Sequence, residues 1–163
     1  MASYSSQFAD PVVLVTVAHK GTVNVMTVGW ASPVSFKPPI LMVSIAPPRF
    51  THDLLMKSEE FGVSVLSDEQ RELAKIAGTL SGKAVNKLSR TEFETIPAEK
   101  IHAPLIAGAR AWFECAVVLH QSVGDHTVFY GEVLRTGMDE SKRPLVLFNR
   151  MYYSLGNEID RYP

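Results

Sequence analysis

Residues 11–48, PVVLVTVAHKGTVNVMTVGWASPVSFKPPILMVSIAPP, hold the reading that decides the fold. Val12 to Ala18 is rich in valine and predicts a strand, because β-branched side chains pack well on a pleated surface. His19-Lys20-Gly21 is a turn into a second strand that begins at Thr22. A third strand, Ile40 to Ala46, lies between Pro38-Pro39 and Pro47-Pro48. Proline has no N–H to give a ladder, so such pairs mark strand ends. Between the second and third strands the chain thins out. Val25-Met26-Thr27-Val28 is strand-like, but Ala31, Ser32 and Ser35 are small or hydroxyl-bearing. A buried strand keeps its bulk and a surface strand carries charge, and this stretch does neither. Two readings stand at this point. It is a bulged strand where two segments cross closely, or it is a wall at which a flat ligand approaches the backbone, with Thr27, Ser32 and Ser35 offering hydroxyls.

Outward from that stretch, Thr51-His52-Asp53 opens a short helix with Thr51 as its N-cap. Phe61 to Leu66 is a fourth strand. Ser67-Asp68-Glu69-Gln70 fits a capping box, and Leu73, Ile76, Ala77 and Leu80 give the helix after it one apolar face. Ser81 to Ala109 is loop-rich and broken by Pro97 and Pro104. Two long strands follow, Ala111 to Gln121 and His126 to Thr136, joined by Ser122-Val123-Gly124-Asp125. Leu145 to Phe148 and Tyr152 to Leu155 form a last short pair. Strands outnumber helices and short turns join them, which predicts a mainly β chain: an antiparallel β-barrel carrying a few short helices.

At 163 residues without a linker, repeat or low-complexity tract, residues 1–163 are expected to form one domain around one core. A net charge of -1 and no lysine or arginine stripe argue against a nucleic-acid groove. Cys115 is the only cysteine, so no intramolecular disulfide forms and a reducing compartment is the default. MASYSSQFADP lacks the pattern of a signal peptide, and the longest apolar run, Ile40 to Pro48, is far too short for a bilayer. The expectation is a cytoplasmic protein with no membrane and no nucleic acid among its partners.

Three places can carry chemistry. Arg49 and Thr51 put a guanidinium and a hydroxyl at a helix N-terminus, where free N–H groups and a partial positive charge attract phosphate. The plainer alternative is that Thr51 only caps the helix and Arg49 is solvated. Lys83 and Lys87, in SGKAVNKL, either add a cation to the same anion or are simply wet. His126 follows Gly124-Asp125 at the start of a strand, so it sits at a barrel rim, to steer a cofactor, donate a proton or close a turn. His120, Asp125 and His126, with Glu114 and Cys115 further along, have no spacing specific to zinc, and no metal is expected. No Gly-x-Ser-x-Gly elbow and no adenine-dinucleotide glycine fingerprint occurs, and Glu59-Glu60 reads as a solvated helix end.

Taken in order, residues 11–45, RFTHDLLMKSEEFGVSVL, SGKAVNKL, ECAVV and VGDHTVFYGEV resemble the flavin reductase-like family of FMN-binding split barrels, over nearly the whole chain from Pro11 to Gly156. The resemblance implies an antiparallel Greek-key split β-barrel and a homodimer that binds FMN near the subunit interface. It matches Met26, Thr27 and the run Ala31, Ser32, Pro33, Val34 and Ser35 to the segment lining the isoalloxazine. Arg49 and Thr51 match the phosphate end. Lys87 matches a lysine that usually follows an aspartate, where this chain has Asn86, with Leu88 in place of the next aromatic. His126 matches the histidine of the family's GDH turn, near where nicotinamide stacks. The implied activity is an NAD(P)H-dependent flavin reductase, with NADH or NADPH passing hydride to flavin N5 and an oxygenase, ferric iron or a redox protein as acceptor. A ferric reductase or flavoredoxin-type carrier with resident FMN, and a non-catalytic flavin-binding protein, are the alternatives.

Overall fold

The computed structural model describes residues 4–162. A 3-10 turn at Tyr4–Gln7 precedes β1 (Asp10–Pro11), β2 (Val13–His19), β3 (Thr22–Val28), β4 (Ala31–Phe36) and β5 (Pro39–Ile45). Helix α1 (Phe50–Ser58), β6 (Glu60–Val65) and helix α2 (Arg71–Thr79) follow. Then come β7 (Thr95–Ile96), β8 (Leu105–Ile106), β9 (Ala111–Val123), β10 (His126–Met138), β11 (Leu145–Phe148) and β12 (Met151–Ser154). The mainly β, antiparallel expectation holds. Seven strands make one sheet in the order β3-β2-β6-β9-β10-β5-β4, with a three-stranded sheet β1-β11-β12 beside it.

The large sheet has to roll up. Its edge strands are β3 and β4, yet only Gly29 and Trp30 separate them in the chain. Two residues cannot span a flat seven-stranded sheet, since neighbouring strands lie about 4.8 Å apart. The edges therefore meet at this corner, where the Ser44 N–H donates to the Trp30 carbonyl at 3.0 Å. No ladder joins β3 to β4, so the barrel is an open one.

The valine run of β2 is explained by burial on both faces. Val13, Val15 and Val17 point into a core with Val43, Ile45, Phe61, Val63 and Phe129. Val12 and Leu14 point the other way, into a second cluster with Leu66, Leu73, Ala74 and Ala77 under α2. A fully buried valine or leucine contributes roughly 1.5–3 kcal/mol, so neither face of β2 tolerates polarity. Gly131 shows how tight the first core is. A Cβ there would stand 2.6 Å from the Phe61 ring and 2.8 Å from the Cys115 Cβ.

Several expectations need correction. The thin stretch is a strand after all: β4 lies on the sheet edge, mostly exposed, with a register shift between Pro33 and Ser35. An edge tolerates Pro33 because no partner waits for its N–H. Thr51 is not the N-cap of α1. Arg49 holds that position without a side-chain cap bond, and Thr51 is buried within the first turn. Glu60 is not part of a solvated helix end; it starts β6 and accepts from the His102 backbone N–H and faces His102 Nδ1 at 2.8 Å. The hairpin turn between β9 and β10 is shorter than expected, because Val123 pairs with His126 and only Gly124 and Asp125 remain outside. Among the described residues no helix is long and apolar enough to cross a membrane.

Candidate functional site

Two clefts meet at Arg49. The wider one, about 580 Å³, runs along Met26, Thr27, Val28, Gly29 and Trp30 and is faced by Ser44, Ala46, Arg49 and His126. The smaller, about 160 Å³, lies between the start of α1 and the end of α2, with Asn24, Thr51, Gly82 and Lys87 in its wall. Met26, Thr27 and Arg49 line both.

Two cations, Arg49 and Lys87, border the small pocket. Lys87 is buried, and its Nζ donates to the Ala77 carbonyl at 3.0 Å and the Leu80 carbonyl at 3.2 Å, at the C-terminal end of α2. Burial, and then the nearby Arg49 guanidinium, pull its pKa from 10.5 down to about 8. Neither Lys87 nor Arg49 forms an ion pair among the described residues. Lys87 is thus a buried ammonium without a carboxylate partner, while Arg49 is exposed at the mouth of the pocket and adds a second positive charge near it. The Phe50 and Thr51 N–H groups, the first two of α1, add to that, since they have no partner inside the helix, whereas the His52 N–H donates to the Arg49 carbonyl at 3.0 Å. Lys83 is elsewhere: it is exposed and 3.8 Å from Asp53.

Asn24 and Thr51 give the pocket its floor. Asn24 Nδ2 donates to Thr51 Oγ1 at 2.8 Å, with both residues buried. Gly82 is needed above them, because a Cβ at that position would run into the Asn24 amide and come within 2.8 Å of the Phe50 ring. Sequence reasoning missed Asn24. The signal was a lone amide inside the apolar run of β3.

In the wide cleft, Thr27 Oγ1 donates to the Ala74 carbonyl at 2.6 Å, so its proton is spent and it faces the cleft as an acceptor. At the far end His126 Nδ1 is 2.7 Å from an Asp125 carboxylate oxygen. That contact holds Asp125 below its ordinary pKa, through its hydrogen bond to His126 and then the charge of the ring. A carboxylate only accepts, so the proton sits on Nδ1 and leaves Nε2 free as acceptor when the ring is neutral and donor when it is charged. The His126 ring lies against Trp30, centroids 4.8 Å apart and tilted by 45°. Trp30, 37% exposed, was also missed; its signal was a large aromatic placed directly after a glycine.

Met26, Thr27, Arg49, Thr51, Lys87 and His126 are thus brought together around the two clefts. Ala31 and Ser32 line an adjoining cleft that shares Asp10, Gly29 and Trp30 with the wide one. There Ser32 Oγ donates to the Pro33 carbonyl at 3.1 Å. Pro33, Val34 and Ser35 continue along the edge strand beyond these walls. The residues weighed for a metal disperse. Glu114 is fully buried and accepts from the Glu99 and Lys100 backbone N–H groups. Among the described residues no three His, Cys, Asp or Glu side chains group closely enough to hold an ion.

The family model for the flavin reductase like domain matches residues 5–156. An uncharacterized protein of Archaeoglobus fulgidus is 40% identical over 111 residues, which span 68% of this chain and 63% of that protein. The NADH-dependent flavin reductase StyB of Pseudomonas fluorescens is 34% identical over 86% of this chain and 79% of its own length. A Rhizobium reductase component of an FADH(2)-dependent resorcinol hydroxylase is 31% identical over 78% of this chain and 69% of its own. Among solved structures, the NADH:FAD oxidoreductase SgcE6 of Streptomyces globisporus superposes with a TM-score of 0.88 at 27% identity, over 94% of this chain and 90% of that one.

Proposed function

The chain belongs to the family of flavin reductase like domains, and we propose that it is an NAD(P)H-dependent flavin reductase that takes FMN across its two joined clefts. The observation that carries the FMN reading is the pair of unpaired cations, Arg49 and Lys87, in a small pocket that opens at Arg49 into a wider, ring-sized cleft. Arg49, Lys87 and the N–H groups of α1 would hold the phosphate. Met26 and Thr27 form the wall shared by both clefts, and Thr27 presents only lone pairs there, suited to an N–H of the ring edge. Ala31 and Ser32, with Pro33, Val34 and Ser35 beyond them, are proposed to complete the ring side on the edge strand. Bound flavin would supply the hydride-accepting chemistry that no side chain offers. The chain itself binds, orients and leaves one face open. His126, its Nδ1 proton held by Asp125, offers Nε2 to the carboxamide of an incoming nicotinamide, and Trp30 backs the imidazole.

A homodimer fits the exposed apolar side chains on the β9-β10-β5-β4 half of the sheet. Phe36 is 94% exposed, Leu119 56% and Val123 54%, and a second copy is the proposed cover. The relative named as the reductase component of a resorcinol hydroxylase supports delivery of reduced flavin to an oxygenase. A cytoplasmic setting suits a chain whose lone cysteine, Cys115, is buried. The test is anaerobic mixing of the FMN-loaded protein with NADH and with NADPH while the oxidised flavin band is followed. Bleaching by either donor is expected. Persistent yellow colour with both, while FMN stays bound, would sink the reductase reading.

A further inference from the structure

We propose that His52 is a positioning residue that ties the phosphate-binding end of α1 to the strand end carrying His126; the inference rests on the FMN reading above. Successive helical residues point about 100° apart, so Thr51 and His52 face different ways from the same turn. Thr51 serves the anion pocket. His52 turns toward β10, where its Nε2 lies 2.9 Å from Thr127 Oγ1. Thr127 is buried and is the next residue after His126. Its backbone is pinned on both sides, opposite Ile45 of β5 and Ser122 of β9. The His52–Thr127 contact is therefore a hydrogen-bonded side-chain link from the phosphate end to the rim where His126 stands.

The surroundings of His52 define its chemistry. Its ring meets Phe129 edge-on, centroids 5.4 Å apart, and Phe129 is fully buried. Burial lowers the His52 pKa, Asp53 opposes this, and the neighbouring His120 adds to it. The ring is thus neutral at pH 7. The Asp53 carboxylate lies 3.9 Å from Nδ1, which favours the proton on that nitrogen and leaves Nε2 to accept the Thr127 O–H. Packing against Phe129 alone would be served by leucine or phenylalanine. A ring nitrogen aimed at a buried hydroxyl is not a packing requirement. An anion drawn onto Arg49 and the first N–H groups of α1 shifts the turn that holds His52, and the shift is passed through Thr127 to His126.

The test uses flavin-free full-length protein, inorganic phosphate as the probe, and NMR of the histidine rings, with the His126 signals assigned by their loss in His126→Gln. In the parent, phosphate is expected to move the His126 signals as the pocket fills. In Thr127→Val, which keeps the branched shape and removes the hydroxyl, phosphate should still bind while the His126 signals stay still. His52→Ala should behave the same way, and His52→Gln, which retains a side-chain acceptor, should restore part of the response. In turnover, both severing variants should lower the rate at saturating FMN about five- to tenfold, the size of one buried hydrogen bond, with KM for FMN little changed. A phosphate-driven shift of His126 that persists in Thr127→Val overturns the proposal, and so does a parent whose His126 ignores bound phosphate. Failure of both nicotinamides to bleach FMN would strike the reductase reading alone, because the phosphate titration needs no flavin.

Discussion

Raising the pH from about 7 to about 9 is expected to weaken FMN binding and leave riboflavin binding flat, and Lys87 is the reason. Its Nζ carries three protons when charged, and two are committed to the Ala77 and Leu80 carbonyls. The third is available to a phosphate oxygen. Burial and Arg49 set the pKa of Lys87 at about 8 in the flavin-free protein. A bound phosphate favours the ammonium, so the pKa in the complex is higher than in the free protein. The sign follows: affinity is complete below about 8, and above it falls, approaching tenfold per pH unit. The phosphate itself takes up a proton near pH 6, which sets the lower end of the plateau. Fluorescence titrations of FMN and riboflavin across this range measure both curves. Lys87→Met should bind FMN more weakly at pH 7 and show no decline above 8. The same lysine has a stability signature in the flavin-free protein. Its folded pKa lies below the unfolded 10.5, so the unfolded chain holds more protons between about 8 and 10.5, and stability rises with pH across that window. The full drop corresponds to about 3 kcal/mol, and Lys87→Met should lose the slope. Parallel FMN and riboflavin curves, or a decline that survives in Lys87→Met, would refute the assignment of this pocket to phosphate.

Other perturbations test neighbouring parts of the site. His126→Ala should slow flavin reduction by nicotinamide on the order of tenfold or more in stopped flow, with flavin affinity held within about twofold; a collapse of binding would make His126 a flavin contact instead. Gly82→Ala should push the Asn24 amide away from Thr51 and lower FMN affinity in calorimetry by about tenfold, with a smaller loss for riboflavin. An unchanged FMN affinity would mean that the floor of the pocket does not matter. Cys115 is buried, and burial pushes its thiol up to about 12, so a thiol reagent should label it only in denaturant. Rapid labelling of the native protein would contradict the core described here.

The strands were legible because each had a local cause. The β2 run carries β-branched residues on both faces, and the structure buries both. What no local pattern conveys is the corner at Gly29 and Trp30, where the two edges of one sheet meet. That corner explains the thin stretch after it. β4 is an edge strand, free of a partner on one side, so it can afford Pro33, serines and a bulge without losing a ladder. Thr51 failed as a cap for a similar reason. A threonine before a helical run is a sound capping signal by itself, but its hydroxyl is taken by Asn24, 27 residues earlier. Long-range hydrogen bonds of this kind override local propensity and leave no periodic trace.

Lys87 makes the same point about the site. In sequence it is one of two lysines in a polar loop, where solvation is the ordinary fate. The fold instead brings the loop back under the end of α2, and the Ala77 and Leu80 carbonyls there take up the ammonium. The helix needs a cation at its C-terminal end, and a ligand phosphate at the neighbouring N-terminal end of α1 needs one as well. One buried lysine can serve both only because the end of α2 and the start of α1 share the 160 Å³ pocket. Arg49 could not replace it from its place at the junction, since it also borders the wide cleft. If the proposed phosphate binds there, its binding and the packing of α2 are interdependent: an anion that draws on Lys87 loads the same ammonium that caps the helix, whose Ala74 carbonyl in turn holds the Thr27 hydroxyl that faces the wide cleft.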